Sequence, residues 1–250
     1  MVSPCPAIEA QGLTIAYDDQ LIINEINLLI ENGDITIIIG GSGCGKSTLL
    51  KSLIGLIPHL KGRLQLLGRD MSKIDENDQR DLSLKVGVMF QFGALLNSLT
   101  IAENVALPLE MHTNLSDDII KDIVRTRLDS VSLLGSYNYK PDQLSGGMRK
   151  RAALARAMVL EPEILLCDEP VAGLDPTSAA EIDDLLLTIN KESGTTLLIV
   201  THDLLSINRI NGNLLMLDDG HVIFQGSRDE ALQSNAPKVY SFFHPGNTDD

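Results

Sequence analysis

The stretch Gly40-Gly41-Ser42-Gly43-Cys44-Gly45-Lys46-Ser47 decides how the rest of the chain is interpreted. It satisfies the pattern G-x-x-x-x-G-K-[S/T], in which glycines let the backbone turn so that successive N–H groups point at phosphate oxygens. An apolar, strand-like segment (Ile35 to Ile39) precedes it, and a helical pattern (Lys46 to Ile57) follows it and stops before Pro58. This order predicts a phosphate-binding loop, in which Lys46 reaches the β- and γ-phosphates and the Ser47 hydroxyl holds Mg²⁺.

A second stretch, Ile164-Leu165-Leu166-Cys167-Asp168-Glu169-Pro170, places two adjacent carboxylates directly after a short apolar run. In parallel sheets ligands bind beyond the carboxyl ends of the strands, which is where this pair would lie. Asp168 is then suited to the Mg²⁺ shell, and Glu169 to polarising an attacking water as general base. Taken alone, the pair could instead cap the start of a helix.

A third stretch, Leu144-Ser145-Gly146-Gly147-Met148, comes just before a basic helical segment. A serine and two glycines at the start of a helix form an anion-binding nest. An ordinary capped helix is the alternative interpretation. One nucleotide does not need two phosphate nests from the same chain, so we expect the second nest to serve the nucleotide of another copy.

Around these stretches the chain alternates between strand and helix patterns. Strands are expected at Ile8 to Tyr17 and Leu21 to Ile30, with a turn at Asp18-Asp19, and at Leu64 to Leu67. Helical periodicity runs from about Asn97 to Leu160. Strand and helix then alternate, which predicts an α/β fold with parallel strands. The remaining predicted elements are the helices Gly146 to Leu160, Ser178 to Glu192 and Leu204 to Ile210, the strands Ile164 to Cys167 and Thr196 to Val200, and a hairpin of Leu214 to Leu217 and Val222 to Gln225.

Composition excludes several classes of function. The formal net charge of −14, carried by scattered acidic residues, disfavours binding to nucleic acid, which needs a basic surface. No apolar run reaches the roughly 18–20 residues that span a bilayer, and the N-terminal residues do not resemble a signal peptide. Three cysteines without metal spacing (Cys5, Cys44 and Cys167) are typical of a reducing cytosol. We therefore expect any membrane contact to be made through a partner protein.

Together the three stretches resemble the ATP-binding cassette (ABC) family. They correspond to its Walker A motif (Gly40 to Ser47), its signature motif (Leu144 to Met148) and its Walker B motif (Ile164 to Glu169). The resemblance implies a P-loop NTPase with a RecA-like core, an N-terminal antiparallel β subdomain and an inserted helical subdomain. The expected boundaries are about 1–91 and 161–235 for the core, about 92–160 for the helical subdomain and about 236–250 for a C-terminal tail.

The resemblance also implies a role for each motif residue. Glu169 and His202, the switch histidine, are the catalytic residues, and Ser47, Gln91 and Asp168 hold Mg²⁺. The residues implied to bind ATP within the chain are Tyr17, Gly40, Gly41, Ser42, Gly43, Cys44, Gly45, Lys46, Ser47, Thr48 and Gln91. Those implied to bind the ATP of a second copy are Ser145, Gly146, Gly147, Met148 and Asp175.

Four of these assignments have simpler alternatives. Tyr17 could be an ordinary strand aromatic, Gln91 a solvated loop residue, and His202 a helix cap or core histidine. Asp175, before Pro176, could cap the helix that follows, and both of its roles can hold together.

Met148 departs from the commonest family pattern, which has Gln there. We expect catalysis to survive this change, because Ser145 and the glycines form the nest. Cys44 and Cys167 are expected only to fill space.

The segments Met89 to Leu109 and Leu144 to Arg151 look like the Mla/Mce branch of the family. That resemblance implies an ATPase that powers phospholipid transport between the membranes of Gram-negative bacteria, from the cytoplasmic face of the inner membrane. The implied partners are a second copy of the chain, an Mla-type permease, an MCE-domain protein and a STAS-domain protein. The alternatives are an importer ATPase for a small solute, a soluble cassette ATPase acting on nucleic acid or ribosomes, and a non-catalytic nucleotide sensor. In the tail, Pro237, Phe242, Phe243 and Pro245 are expected to pack on the core, and docking against a partner is the alternative.

Overall fold

The computed structural model describes residues 5–17 and 20–244 of the 250-residue chain. The predicted turn at Asp18-Asp19 and the tail residue Pro245 lie outside the described residues. The strands are β1 (Ile8–Tyr17), β2 (Gln20–Ile30), β3 (Ile35–Gly40), β4 (Lys61–Leu66), β5 (Arg69–Asp70), β6 (Val86–Met89), β7 (Ile164–Asp168), β8 (Thr196–Val200), β9 (Asn213–Asp218) and β10 (His221–Gly226). The helices are α1 (Lys46–Leu53), α2 (Glu76–Lys85), α3 (Ile101–His112), α4 (Asp117–Ser130), α5 (Gly146–Met158), α6 (Pro176–Ser193), α7 (Leu204–Ile210), α8 (Arg228–Leu232) and α9 (Pro237–Phe243).

The strands form two sheets. A four-stranded antiparallel sheet has the order β2-β1-β4-β5, and a six-stranded sheet has the order β10-β9-β3-β8-β7-β6. In the larger sheet β9, β3, β8, β7 and β6 are parallel, and β10 adds an antiparallel edge. The predicted fold class, an α/β P-loop fold with a RecA-like core and an antiparallel β subdomain, is confirmed. Because β3, β6, β7 and β8 are parallel, the loops that leave their carboxyl ends lie along one edge of the sheet.

Alternate residues of the parallel strands supply two separate apolar cores, because successive side chains of a strand point to opposite faces. Ile38 joins the cluster that contains the antiparallel sheet and α1, whereas Ile37 and Ile39 join the cluster beneath α5, α6 and α7. Every residue of β7 and β8 is buried, as expected for strands that are covered on both faces. The site loops are therefore attached to the most deeply buried part of the molecule.

The helical middle of the chain has an apolar cluster of its own, made mainly by α3, α4 and α5. Helix α3 begins with a capping box, in which the Thr100 hydroxyl accepts from the Glu103 amide and the Glu103 carboxylate accepts from the Thr100 amide. Asn104, which is fully buried, accepts from the amide of Leu96 and donates to the carbonyls of Leu96 and Thr100. These bonds hold the segment that leads from β6 into the helices.

Some element boundaries differ from those predicted. Helix α1 ends at Leu53 rather than at Ile57, because Gly55 adopts a left-handed conformation with φ of 76°. Strand β4 begins at Lys61, three residues before the predicted start, and ends before the left-handed residues Leu67 and Gly68. Helix α2 and strand β6 were not predicted. At the other end of the chain, Phe242 and Phe243 pack against the second apolar cluster, as expected.

Candidate active site

The phosphate-binding loop runs from the end of β3 into α1, as the sequence predicts. Gly40 has φ of 148° and Gly45 has φ of 105°, in the region that glycine adopts most readily. Space also requires glycine at both positions. A Cβ on Gly40 would lie 2.2 Å from the carbonyl oxygen of Leu217, and one on Gly45 would lie 2.7 Å from Cδ1 of Ile23. The loop thus depends on glycine for its conformation and for its close packing on β9 and β2.

Lys46 and Ser47 stand at the first turn of α1. The Lys46 ammonium donates to the carbonyl oxygens of Gly40 and Gly41, both at 2.8 Å, so it lies over the loop. The Ser47 hydroxyl donates to Oδ1 of Asp168 at 3.1 Å, which joins the loop to the end of β7. Cys44 is buried and packs beneath the loop, in agreement with a space-filling role.

Two adjacent carboxylates stand at the carboxyl end of the buried strand β7, as predicted: Asp168 is its last residue and Glu169 follows it. Asp168 and Glu169 are each 8% exposed, and no helix begins at this pair, so the helix-cap alternative is wrong. Glu169 has φ of 49°, a left-handed conformation that is uncommon for a residue with a side chain. Its amide donates to the carbonyl of Val200 at 2.9 Å, which fixes this turn against the neighbouring strand β8.

His202 follows β8 and faces Glu169. Its Nδ1 lies 2.7 Å from Oε1 of Glu169, and 68% of its side chain is exposed, against 11% for Glu169. The alternatives for His202 are wrong, because this exposure excludes a core histidine and Asp203 provides the cap of α7. The pair combines a protected carboxylate with an imidazole open to solvent, an arrangement suited to proton transfer and to contact with a charged substrate.

Lys46, Ser47, Glu169 and His202 line one cleft of about 710 Å³ along the carboxyl edge of the large sheet. Asp168 and Cys44 lie next to lining residues but do not line the cleft themselves. The described residues that line it are Ile22, Gly40, Gly41, Ser42, Gly43, Gly45, Lys46, Ser47, Thr48, Gln91, Glu169, His202 and Phe242. Segments far apart in the sequence thereby meet at one phosphate-binding loop. Ile22 and Phe242 were not predicted as site residues, since a single apolar residue in a strand or tail carries no recognisable signal. Gln91, after β6, is exposed at the cleft, whereas Tyr17 at the end of β1 is 58% exposed and is not among the lining residues.

The other predicted site residues lie outside this cleft. The Ser145 hydroxyl accepts from the amide of Met148 at 3.3 Å and caps α5, above Gly146 and Gly147. Asp175 caps α6, because its Oδ1 accepts from the amides of Thr177 and Ser178, both at 3.1 Å. Both capping interpretations hold, and neither residue approaches its own chain's phosphate loop closely enough to line the cleft.

One buried cation beside the cleft was not predicted. The Lys150 side chain, on α5, donates to the carbonyl oxygens of Gln91 and Glu169. Burial lowers the pKa of its ammonium below the ordinary value, while the nearby Cys167, Glu169 and Asp168 oppose that decrease. Lysine in an apolar helix face is the one sequence signal that could have identified it.

Comparison with known proteins agrees with this geometry. Residues 23–172 match the family model described as ABC transporter. A Mycobacterium leprae protein named "Probable ribonucleotide transport ATP-binding protein mkl" is 40% identical over 238 residues, which are 95% of this chain and 69% of that protein. The Haemophilus influenzae protein named "Intermembrane phospholipid transport system ATP-binding protein MlaF" is 36% identical over 235 residues, 94% of this chain and 89% of that protein.

A third relative is the Clostridioides difficile protein named "Methionine import ATP-binding protein MetN", 37% identical over 91% of this chain and 71% of its own length. The chain thus spans about two thirds to nine tenths of the length of these relatives, and 66% of the mkl proteins from Mycobacterium bovis and Mycobacterium tuberculosis. Among solved structures, the ATP-binding cassette MJ0796, in a dimeric post-hydrolysis state bound to ADP and Pi, superposes with a TM-score of 0.81 at 31% identity. The match covers 88% of this chain and 98% of that one.

Among residues 5–17 and 20–244, every helix is too short or too polar to cross a lipid bilayer. The site combines a strand–glycine loop–helix cradle, a histidine after the adjacent strand β8 and a carboxylate pair at the end of β7, the next strand in the sheet. A family model matches over 150 residues that include most of these elements. On these grounds the chain belongs to the ABC transporter family and is an ATP-binding, ATP-hydrolysing cassette.

Proposed function

We propose that the cleft binds the triphosphate of ATP on the loop Gly40 to Thr48, and that Glu169 acts as general base on the attacking water. The observation that carries this proposal is the 2.7 Å contact between Oε1 of Glu169 and Nδ1 of His202 beside the phosphate loop. When ATP binds, the Lys46 ammonium exchanges the carbonyl oxygens of the loop for phosphate oxygens as its hydrogen-bond acceptors. His202 contacts the γ-phosphate and orients the Glu169 carboxylate. The exposed Tyr17 stacks on the adenine.

The residues at the loop fit Mg²⁺ as a cofactor. Mg²⁺ takes oxygen ligands and is usually held by one or two protein groups together with substrate phosphates. The Ser47 hydroxyl and the Asp168 carboxylate, 3.1 Å apart, supply two such oxygens, and the Gln91 side chain stands at the same cleft. Mg²⁺ held there would neutralise charge on the phosphate oxygens. The hydrogen bond between Ser47 and Asp168 holds the phosphate loop beside the end of β7, so that both oxygens are placed for that role.

We further propose that two copies of the chain sandwich two ATP molecules. Support comes from the position of Ser145 and Asp175, which lie outside their own chain's cleft although they resemble nucleotide-binding motifs. In the proposed dimer, Ser145 to Met148 and Asp175 of one copy face the phosphate loop of the other. Because these contacts exist only in the closed dimer, ATP shifts the equilibrium toward closure, and hydrolysis allows reopening.

Mixing two inactive variants tests the sandwich. In a dimer of Lys46→Ala with Ser145→Arg, one site carries both changes and the other carries neither. We expect each variant alone to be inactive and the mixture to recover ATPase activity. A mixture as inactive as its components, although the two chains associate, would contradict the arrangement.

For the transported substrate we propose phospholipid moved between the inner and outer membranes. The similarity to MlaF supports this, because it extends over 89% of that protein at 36% identity. The proposed partners are an Mla-type permease, an MCE-domain protein and a STAS-domain protein, with the cassette held at the cytoplasmic face of the inner membrane through the permease. The formal charge of −14 fits that indirect attachment, since acidic proteins are repelled by anionic lipid surfaces.

Import of a small solute is the second candidate, favoured by the 37% identity to MetN. Purification of the native membrane complex, with mass spectrometry of its proteins and lipids, distinguishes the two. Recovery of a permease, an MCE-domain protein and enriched phospholipid is the expected result. A solute-binding protein with a different permease and no lipid enrichment would overturn the lipid proposal and leave the ATPase assignment in place. Lys46→Ala, purified in parallel, is the matched control, because complex assembly does not require hydrolysis.

A further inference from the structure

A single buried ammonium links three segments of the active site. Lys150 is 6% exposed, and its Nζ donates to the carbonyl oxygen of Gln91 at 2.6 Å and to that of Glu169 at 2.7 Å. An ammonium that is removed from water needs partners for its three N–H donors, and these two carbonyls accept from two of them. Lys150 itself belongs to α5, the helix that Ser145 caps.

The bond to Glu169 acts on a backbone in an unusual conformation. With φ of 49°, Glu169 persists only where its surroundings hold it. Its amide is held by the carbonyl of Val200 at 2.9 Å and its carbonyl by Lys150, so both ends of the residue are fixed. The direction of the carboxylate toward His202 follows from that fixed backbone.

The bond to Gln91 belongs to a wider attachment of the loop after β6 to the same helix. Arg156, six residues after Lys150 on α5, donates to the carbonyls of Gly93 at 2.8 Å and Ala94 at 2.6 Å. The loop from Gln91 to Ala94 is therefore bonded to α5 at three carbonyls. Of the two cations, Lys150 alone also holds the residue that carries the proposed base.

We propose that Lys150 is a positioning residue for ATP hydrolysis, whose ammonium sets the backbone of Glu169 and Gln91 relative to the nest at the start of α5. A displacement of α5 then moves the base and the Gln91 loop together. This inference rests on the proposed role of Glu169 as base. Its two hydrogen bonds go to backbone carbonyls outside the phosphate loop, so we expect its loss to affect turnover more than nucleotide affinity.

Steady-state ATPase assays and ATP-binding measurements on the full chain test this. In Lys150→Met we expect kcat to fall by about tenfold to a hundredfold, the range that follows from a small misplacement of a catalytic group, with the Kd for ATP within about twofold. In Lys150→Arg we expect most of the unchanged chain's kcat to be kept. The depression lined by Gln91, Gly146 and Lys150 leaves space for the larger guanidinium. Arg151→Met is the matched control. It also removes a positive charge from α5, but the native Arg151 side chain bonds Glu181 and not the Gln91 loop or the Glu169 turn.

Two further variants separate the possible causes of failure. If Lys150→Met does not fold, Lys150→Gln decides, because its amide is too short to hold both carbonyls and the same fall in kcat is expected. Glu169→Gln alone tests the proposed base, and full turnover in that variant would remove the base assignment itself. Loss of turnover in Glu169→Gln together with unchanged kcat in Lys150→Met would overturn the positioning role. A parallel loss of ATP affinity and of thermal stability in Lys150→Met would also overturn it.

Discussion

Asp183 gives the sharpest prediction about stability, because it is a buried carboxyl with one unsatisfied oxygen. It is 2% exposed, and its Oδ2 accepts from the Ser206 hydroxyl at 2.8 Å. Its Oδ1 has no hydrogen-bond partner among the residues that the structure describes. Burial raises its pKa from an ordinary value of 3.8 to about 6. The bond from Ser206 and the charge of Arg209 oppose the increase, and Asp203 and Asp184 reinforce it.

The sign of the effect follows from linkage. A carboxyl whose folded pKa is raised binds its proton more tightly in the folded state, so the chain loses stability as pH rises from 3.8 through about 6. One pKa unit corresponds to about 1.4 kcal/mol, so the full loss is at most about 3 kcal/mol. About 1.4 kcal/mol of it falls between pH 5 and pH 8. Relaxation and water entry reduce these figures, so we expect about 1 kcal/mol between those two pH values.

The assay is urea unfolding of Asp183→Asn and of the unchanged chain at about pH 5 and about pH 8. Asparagine cannot titrate, so its stability relative to the unchanged chain should rise by about 1 kcal/mol between the two conditions. Asp122→Asn is the control, because Asp122 is an exposed carboxylate on α4, whereas the groups that shift the pKa of Asp183 lie on α6, on α7 and at the cap of α7. A relative stability of Asp183→Asn that is the same at both pH values would refute the reasoning, whatever its absolute value.

Three further predictions address the site and its supports. Gly40→Ala should abolish ATP binding, because its Cβ would lie 2.2 Å from the Leu217 carbonyl oxygen. Gly41→Ala should bind ATP normally, because a Cβ there meets nothing within 4 Å. Titration with a fluorescent ATP analogue measures both. Glu169→Gln should bind ATP but not hydrolyse it, and equal loss of binding and hydrolysis would point to a structural defect instead. Asn104→Ala should lower the free energy of unfolding by about 2–4 kcal/mol, because several buried backbone groups lose their partners. Asn97→Ala, at an exposed position in the segment before α3, should change it by less than about 0.5 kcal/mol.

The sequence predicted most of what depends on local pattern. The loop from Gly40 to Ser47, the apolar strands β7 and β8, and the carboxylates at the end of β7 each carry a signal within a few adjacent residues. The position of ligands beyond the carboxyl ends of parallel strands then predicted Glu169 near the phosphate loop, although it lies more than 100 residues from Lys46 in the chain. The resemblance to the ABC family, and not the spacing, implied that His202 lies there too.

What the sequence did not predict depends on tertiary contacts. Strand β6 has four residues and follows α2 without a turn, so no periodicity marks it. The burial of Lys150 was not predicted, since it depends on the loops of Gln91 and Glu169 that bond its ammonium. The left-handed conformation of Glu169 has no signature, because non-glycine residues adopt it only where neighbouring strands impose it. The shorter helix α1 reflects Gly55, whose conformation the pattern before Pro58 did not reveal.

The arrangement of the large sheet has a consequence for how the protein folds and is maintained. The phosphate loop, Gln91, Glu169 and His202 each leave a different parallel strand, so none of their mutual distances exists until β3, β8, β7 and β6 have paired. Parallel pairings between distant segments form late, since the chain must close long loops before any contact compensates for the lost entropy. ATP therefore has nothing to recognise in a partly folded chain and acts on the folded state alone. At a concentration 100 times its Kd it would add about 2.7 kcal/mol to stability, enough to rescue in the cell many variants that weaken the sheet far from the nucleotide.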